Sequence, residues 1–197
     1  KLNTFNPTTT LSLLGKDETF GISGQCLFTS PEIQNIALKG FYRAGWFYTT
    51  QATTPLRDKS KVFSFNDFTF IVDVEKYLHL IGFDPMFQGI QGSSKDLCYR
   101  ASLKEWTVYY DKSWTSQLAK EIKLSYAFNN DLMKQNRIGN TYLFIWKNLG
   151  VTMTPLPHFM WILFMFLFFR IKHTRAILKS CFYIPEILRN RKIENHS

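Results

Sequence analysis

Phe159-Met160-Trp161-Ile162-Leu163-Phe164-Met165-Phe166-Leu167-Phe168-Phe169, followed at once by Arg170, Lys172, His173 and Arg175, is the stretch on which the fold reading turns. It closes an uncharged run that begins at Asn148. A helix that is apolar all round belongs in a large core or in lipid, and an aromatic-rich run with a basic stop favours lipid. The sequence therefore predicts a transmembrane helix over 155–175. The strict apolar part, Leu156 to Phe169, reaches only about 21 Å at the helical rise, against a hydrocarbon thickness of roughly 30 Å. A full span then needs Pro155 or Pro157 to open the helix, Ile171 to lie inside it, and Arg170 and Lys172 to snorkel outward. A buried core helix and a re-entrant hairpin are the alternatives for a run of this length. On the spanning reading Phe159, Trp161, Phe164 and Phe168 form the membrane anchor. Arg170, Lys172 and Arg175 then contact lipid headgroups. No Gly or Ala lies between Leu156 and Phe169, so no small-residue face is available for close helix pairing.

Charge gives the expected orientation. The 197 residues carry a formal net charge of +9, and from Arg170 onward there are seven Lys or Arg against two acids. The positive-inside rule places such a tail on the cytoplasmic or matrix side. The basic tail also suits anionic lipid headgroups. Nucleic acid is not an expected partner, because the aromatics of this region are not interleaved with the bases. The one usable Asn-x-Ser/Thr triplet, Asn195-His196-Ser197, falls on the inner side, and Pro7 blocks Asn6-Pro7-Thr8. Together these favour a mitochondrion or a bacterial-type membrane, and the expected location is the mitochondrial inner membrane, with the C-terminus in the matrix.

The remainder reads as a β-rich extramembrane domain over 1–112, a helical stalk and interfacial segment over 113–154, and a basic tail over 176–197. The fold class expected is a mainly β or α+β domain followed by the stalk and one C-terminal transmembrane helix. Phe41 to Tyr48 is aromatic and strand-like. Phe63 and Phe65 alternate, and after Asn66-Asp67 the alternation resumes at Phe68, Phe70, Val72 and Val74, as at a bulge or tight turn between strands. Trp106, Val108 and Tyr110 alternate again. Gly82 to Ser94 reads as a loop from its breakers. Ser113 is a candidate cap for a helix with Trp114, Leu118, Ile122 and Tyr126 on one face, interrupted at Asn129-Asn130. Tyr142 and Trp146 suit an interfacial belt.

Chemistry-bearing motifs are sparse. Cys26, Cys98 and Cys181 have no metal-ligand spacing; with Cys181 beyond the span, Cys26–Cys98 is the one disulfide the layout allows, and two buried thiols are the alternative. Gly89-x-x-Gly92-Ser93-Ser94-Lys95 lacks both the spacing and the ending of a phosphate loop, and reads as a plain loop. His79 follows Asp73 and Glu75 but sits in the apolar run Tyr77 to Ile81, which suits a packed histidine better than a general base. His158 falls at the expected membrane edge beside two prolines. No catalytic residues, cofactor or metal are expected. The layout is that of an accessory, structural single-pass subunit of a multi-subunit membrane complex, as in respiratory or ATP-synthase assemblies, partnered by other membrane subunits and by a lipid bilayer with anionic lipids. Nine Tyr and five Trp suit such interfaces. The alternative is a stand-alone single-pass adaptor or receptor with a ligand-binding outer domain.

Overall fold

Two strands far apart in sequence, β2 (Thr19–Leu27) and β7 (Thr107–Gln117), run parallel at the centre of the first of two units. The structure is a computed structural model and describes residues 2–4, 7–27, 38–51, 59–66, 68–87, 92–117, 131–149, 155–168 and 171–194. The first unit comprises Lys1–Gly40, Thr49–Asp84 and Ser93–Lys123; the second comprises Phe41–Tyr48, Pro85–Gly92 and Leu124–Ser197.

In the first unit β1 (Leu2–Thr4) and β5 (Ser60–Val62) both pair antiparallel with β7, β1 near its end and β5 near its start. On the other side β6 (Phe70–Val72) pairs antiparallel with β2. The strand β2 is buried on both faces from Thr19 to Gly24. Its glycines make this possible. A Cβ on Gly21 would come within 2.7 Å of the Ile71 carbonyl oxygen, and one on Gly24 within 2.9 Å of Trp114 and Thr69 atoms. The core gathers Phe20, Phe65, Leu97, Cys98, Ala101 and Val108, with Val62, Phe70 and Trp106 packed around it. Phe65 stacks on Phe70 at 4.4 Å between ring centroids.

Asn66 makes the turn between β5 and β6. Its Oδ1 accepts from the backbone N–H groups of Phe68 and Thr69, at 2.8 and 3.1 Å, and its Nδ2 donates to the Gly24 carbonyl at 3.0 Å. The tight turn expected at Asn66 is present, although the strands it joins pair with β7 and β2 and not with each other.

Helices interrupt the expected β-rich domain. α1 (Pro7–Leu14), α2 (Val74–His79) and α3 (Ser93–Leu103) all lie within it, so the architecture is mixed α/β. Asp73 caps α2 by accepting from the Lys76 N–H at 3.0 Å. Beyond α2, Ile81 and Gly82 take positive φ, and Arg100 of α3 donates to the Leu80 and Gly82 carbonyls while pairing with Asp96 at 2.8 Å. Ser113 does not cap a helix: 113–117 continues β7. Leu118, Ile122, Tyr126 and Asn129-Asn130 lie outside the described residues.

A hairpin of β3 (Leu38–Arg43) and β4 (Trp46–Gln51) carries the chain into the second unit. The sequence run Phe41 to Tyr48 is thus two strands. The turn is made by Ala44 at φ 48° and Gly45 at φ 82°, as a two-residue hairpin of the primed type requires.

The second unit is helical: α4 (Asp131–Phe144), a π-helical turn (Ile145–Leu149), α5 (Pro155–Leu167), α6 (Ile171–Cys181) and α7 (Ile184–Glu194). α6 packs along α4 and also meets α5. Tyr142, Leu143, Phe144 and Ile145 are buried here with Phe47, Met165, Ala176 and Ile177.

The expected transmembrane helix is corrected by this arrangement. Among the described residues no helix is long and apolar enough to cross a membrane. α5 stops at Leu167 after 13 residues, about 20 Å, and the chain starts a separate helix at Ile171. The second helix cannot extend the apolar length, because it carries Lys172, Arg175 and Lys179 within its first three turns. The readings that depended on a span fall with it. These are the single-pass topology, the integral inner-membrane location and the matrix-facing tail.

Candidate functional site

α5 is one-sided in its packing, though not in its composition. His158 and Met165 are buried, Trp161 and Ile162 are half-buried, and these four positions share one helical stripe. Every other described side chain from Leu156 to Leu167 is exposed. Leu156, Phe159, Met160, Leu163, Phe164, Phe166 and Leu167 are between 40% and 70% exposed and cover an arc of about 160° at 100° per residue. Phe168, in the turn that follows, is 63% exposed. A residue set suited to burial thus leaves 40% or more of each residue's surface open to solvent.

The inner stripe is fixed by polar contacts. The Trp146 indole N–H donates to His158 Nε2 at 2.8 Å, so that nitrogen carries no proton. Nδ1 then bears the proton and donates to the Gly45 carbonyl oxygen at 2.7 Å. Burial lowers the His158 pKa from its ordinary 6.5, and the Gly45 hydrogen bond opposes this only in part. Gly45 is needed at the contact for a second reason besides its φ, since a Cβ there would collide with the Pro157 carbonyl. Around this pair stand Trp46, edge-on to Tyr142 at 4.7 Å and stacked on Trp161 at 5.6 Å. Tyr142 Oη lies 3.2 Å from His173 Nδ1, and burial raises the Tyr142 pKa. The cluster anchors α5. It holds a neutral imidazole with both ring nitrogens engaged, and Tyr142 stands beside the ring at 5.9 Å between centroids.

The residues expected to form a membrane anchor therefore divide. Phe159, Phe164 and Phe168 are exposed, whereas Trp161 turns inward. Lys172 and Arg175 are exposed on α6, and Arg170 lies outside the described residues. α6 has its own pattern: Ile171, Leu178 and Phe182 recur on one side, with Lys172, Arg175 and Lys179 along its flank and Ala176, Ile177 and Ser180 opposite and buried. Between α4 and α6 runs a small open groove, with room for about 30 Å³, lined by Asn136, Asn140, Arg175, Lys179 and Tyr183 among others.

The other sequence candidates are dispersed. Cys26 on β2 and Cys98 on α3 are both buried and stand as thiols, and Cys181 is exposed. His79 is exposed on α2 and meets Trp106 edge-on at 5.7 Å. Asp73 is turned to the α2 backbone and lies 3.5 Å from Lys76 Nζ. Ser93, Ser94 and Lys95 open α3, and Lys95 Nζ donates to Thr49 Oγ1 at 3.0 Å; Gly89 is outside the described residues. Among the described residues no three His, Cys, Asp or Glu side chains stand together as a metal site. Sequence reading missed the Trp146–His158–Gly45 chain, and nothing in spacing announces it: its three members come from 45, 146 and 158. No protein-family model matches the chain, and no curated protein matches it significantly in sequence.

Proposed function

We propose that this protein is an accessory, non-catalytic component of a multi-subunit assembly, acting by attachment and shape. The observation that carries this reading is the outer face of α5. Exposed apolar patches of this kind mark interaction surfaces, because scattered single apolar residues are ordinary but a continuous face is not. At about 25 cal/mol per Å² of apolar area removed from water, covering such a face supplies several kcal/mol. The buried histidine cluster supports the reading, since it holds the helix in place and leaves its outer side chains as the part free to engage something else.

The test is native electrophoresis of the full chain from its source under mild extraction. The wild type should migrate in a particle larger than itself. A variant with Phe159→Ser and Phe164→Ser should migrate alone, with unchanged far-UV circular dichroism. Co-migration of that variant with the same particle would remove α5 from the argument. Substituting His79, Cys26 or Cys98 should leave the particle's turnover, normalised to its amount, within about twofold.

A further inference from the structure

We infer that the surface covered by α5 and α6 is an anionic lipid surface, on which the two helices lie flat and do not cross. This rests on the preceding reading that the α5 outer face attaches the protein, and it makes that attachment a shared lipid surface, with the assembly's own subunits touching other parts of the chain. Three observations point to lipid. The outer face of α5 presents only Leu, Phe and Met side chains, so it offers a partner no side-chain hydrogen-bond donor or acceptor apart from thioether sulfur. Protein interfaces also favour Phe and Met, but they add about one hydrogen bond per 100–200 Å² to fix register, which this face cannot supply from its side chains. Charge is the second. From 132 to 185 the sequence contains seven Lys or Arg and no Asp or Glu. That one-signed stretch includes all of α5 and α6, and exposed Lys172, Arg175 and Lys179 follow α5 directly. Third is the layout of α6, where the exposed apolar line Ile171, Leu178 and Phe182 lies beside the basic line. An apolar stripe flanked by Lys and Arg is the pattern of a helix lying in the headgroup region, its apolar side sunk roughly 5–10 Å.

The dimensions agree. α5, at about 20 Å, is too short for the hydrocarbon core but needs no particular length to lie in the plane of the interface. The buried His158–Trp146 contact holds the inner stripe of α5 inward, away from the exposed apolar face. Apolar insertion and attraction of the basic line to anionic headgroups then act together, and neither alone gives stable attachment.

The experiment is flotation of the purified full chain with vesicles of phosphatidylcholine alone or with about one-third phosphatidylglycerol, at low and high salt. The wild type should float with the anionic vesicles, and binding should weaken at least tenfold in high salt. Lys172→Gln with Arg175→Gln and Lys179→Gln should lower partitioning roughly a hundredfold. Phe159→Ser with Phe164→Ser should abolish it while circular dichroism stays unchanged. Equal binding to both vesicle types, or none to either, overturns the proposal. A chain that fails to float yet still co-migrates with a larger particle overturns the lipid occupant and leaves the accessory-component reading standing. A chain that floats but never co-migrates does the reverse. Sedimentation as a dimer that Phe159→Ser and Phe164→Ser dissolve, without flotation, assigns the face to a second copy and also overturns it.

Discussion

The β2 strand and the α5 helix are both rich in residues that suit a core, yet they are used in opposite ways. β2 has both faces covered, with glycines admitting neighbouring backbone on either side and Phe20 and Ile22 wholly buried. α5 has one narrow stripe covered and a wide apolar arc bare. In β2 the apolar content is spent within the unit. In α5 it exceeds what the unit can bury, and the excess is informative about function because folding does not need it. Composition alone does not separate the two cases; what decides is which side chains find partners.

The comparison is broken most directly by truncation. Phe20→Ala should cost about 3–5 kcal/mol in chemical denaturation, the loss expected for a large ring in a packed core. Phe164→Ala on the α5 arc should change stability by no more than about 0.5 kcal/mol. A loss there comparable to that of Phe20→Ala would show that the α5 arc is packed, and the surface reading would end.

The inner stripe of α5 can be separated from its arc by pH. His158 is held neutral with its pKa below 6.5, so the folded state takes up fewer protons at this group than the unfolded chain. Its stabilising contribution is complete above pH 6.5 and is lost as pH falls toward the lowered folded value. His158→Gln should remove that component, so wild type and variant should lose stability in parallel between pH 7 and 5.5 only if the imidazole is not buried as described. Thermal unfolding at the two pH values reads the difference.

The smallest effect lies at the end of α2. Ile81 is exposed and takes φ 59°, a conformation costly for a β-branched side chain. Ile81→Gly should raise stability by about 0.5–1 kcal/mol. A loss on denaturation would mean that Ile81 makes contacts the structure does not record.

How much of this was legible in the sequence depends on what each element uses for pattern. The alternation of Val108 and Tyr110 survives because β7 buries that side, and both are buried. The turn at Asn66 was readable because Asn is a turn former whose side chain can bond the backbone two and three residues on. β2 was not readable, since Gly21, Ser23 and Gly24 dilute its apolar count while being the residues that let it sit centrally. α3 was hidden for a related reason: Ser94, Lys95 and Asp96 are buried polar residues, so its inward face does not look apolar. The hairpin of β3 and β4 was missed because Ala44 is not a residue expected at positive φ. At α5 the aromatic run was recognised, but hydropathy measures how apolar a segment is and not how many of its sides are covered. The His158 contacts that settle this come from residues far apart in the chain. Of the residues expected to anchor a span, Phe159, Phe164 and Phe168 are exposed, and the inward turn of Trp161 is not legible from the run itself.

The parallel pairing of β2 with β7 also sets an order of events. β7 supplies the partner for β1, β2 and β5, and Thr10 bonds Asp111 across 101 positions of chain. None of these contacts can form during synthesis until β7 has left the ribosome, so the first unit has a high contact order and closes slowly. Until then β2 has only the short β6 beside it, and the edge that β7 will take stays open to pair with another copy. Slowing translation once β7 has cleared the ribosome should therefore raise the yield of folded protein, and a chaperone that shields nascent strands should matter more for this half of the molecule than for the helices that follow.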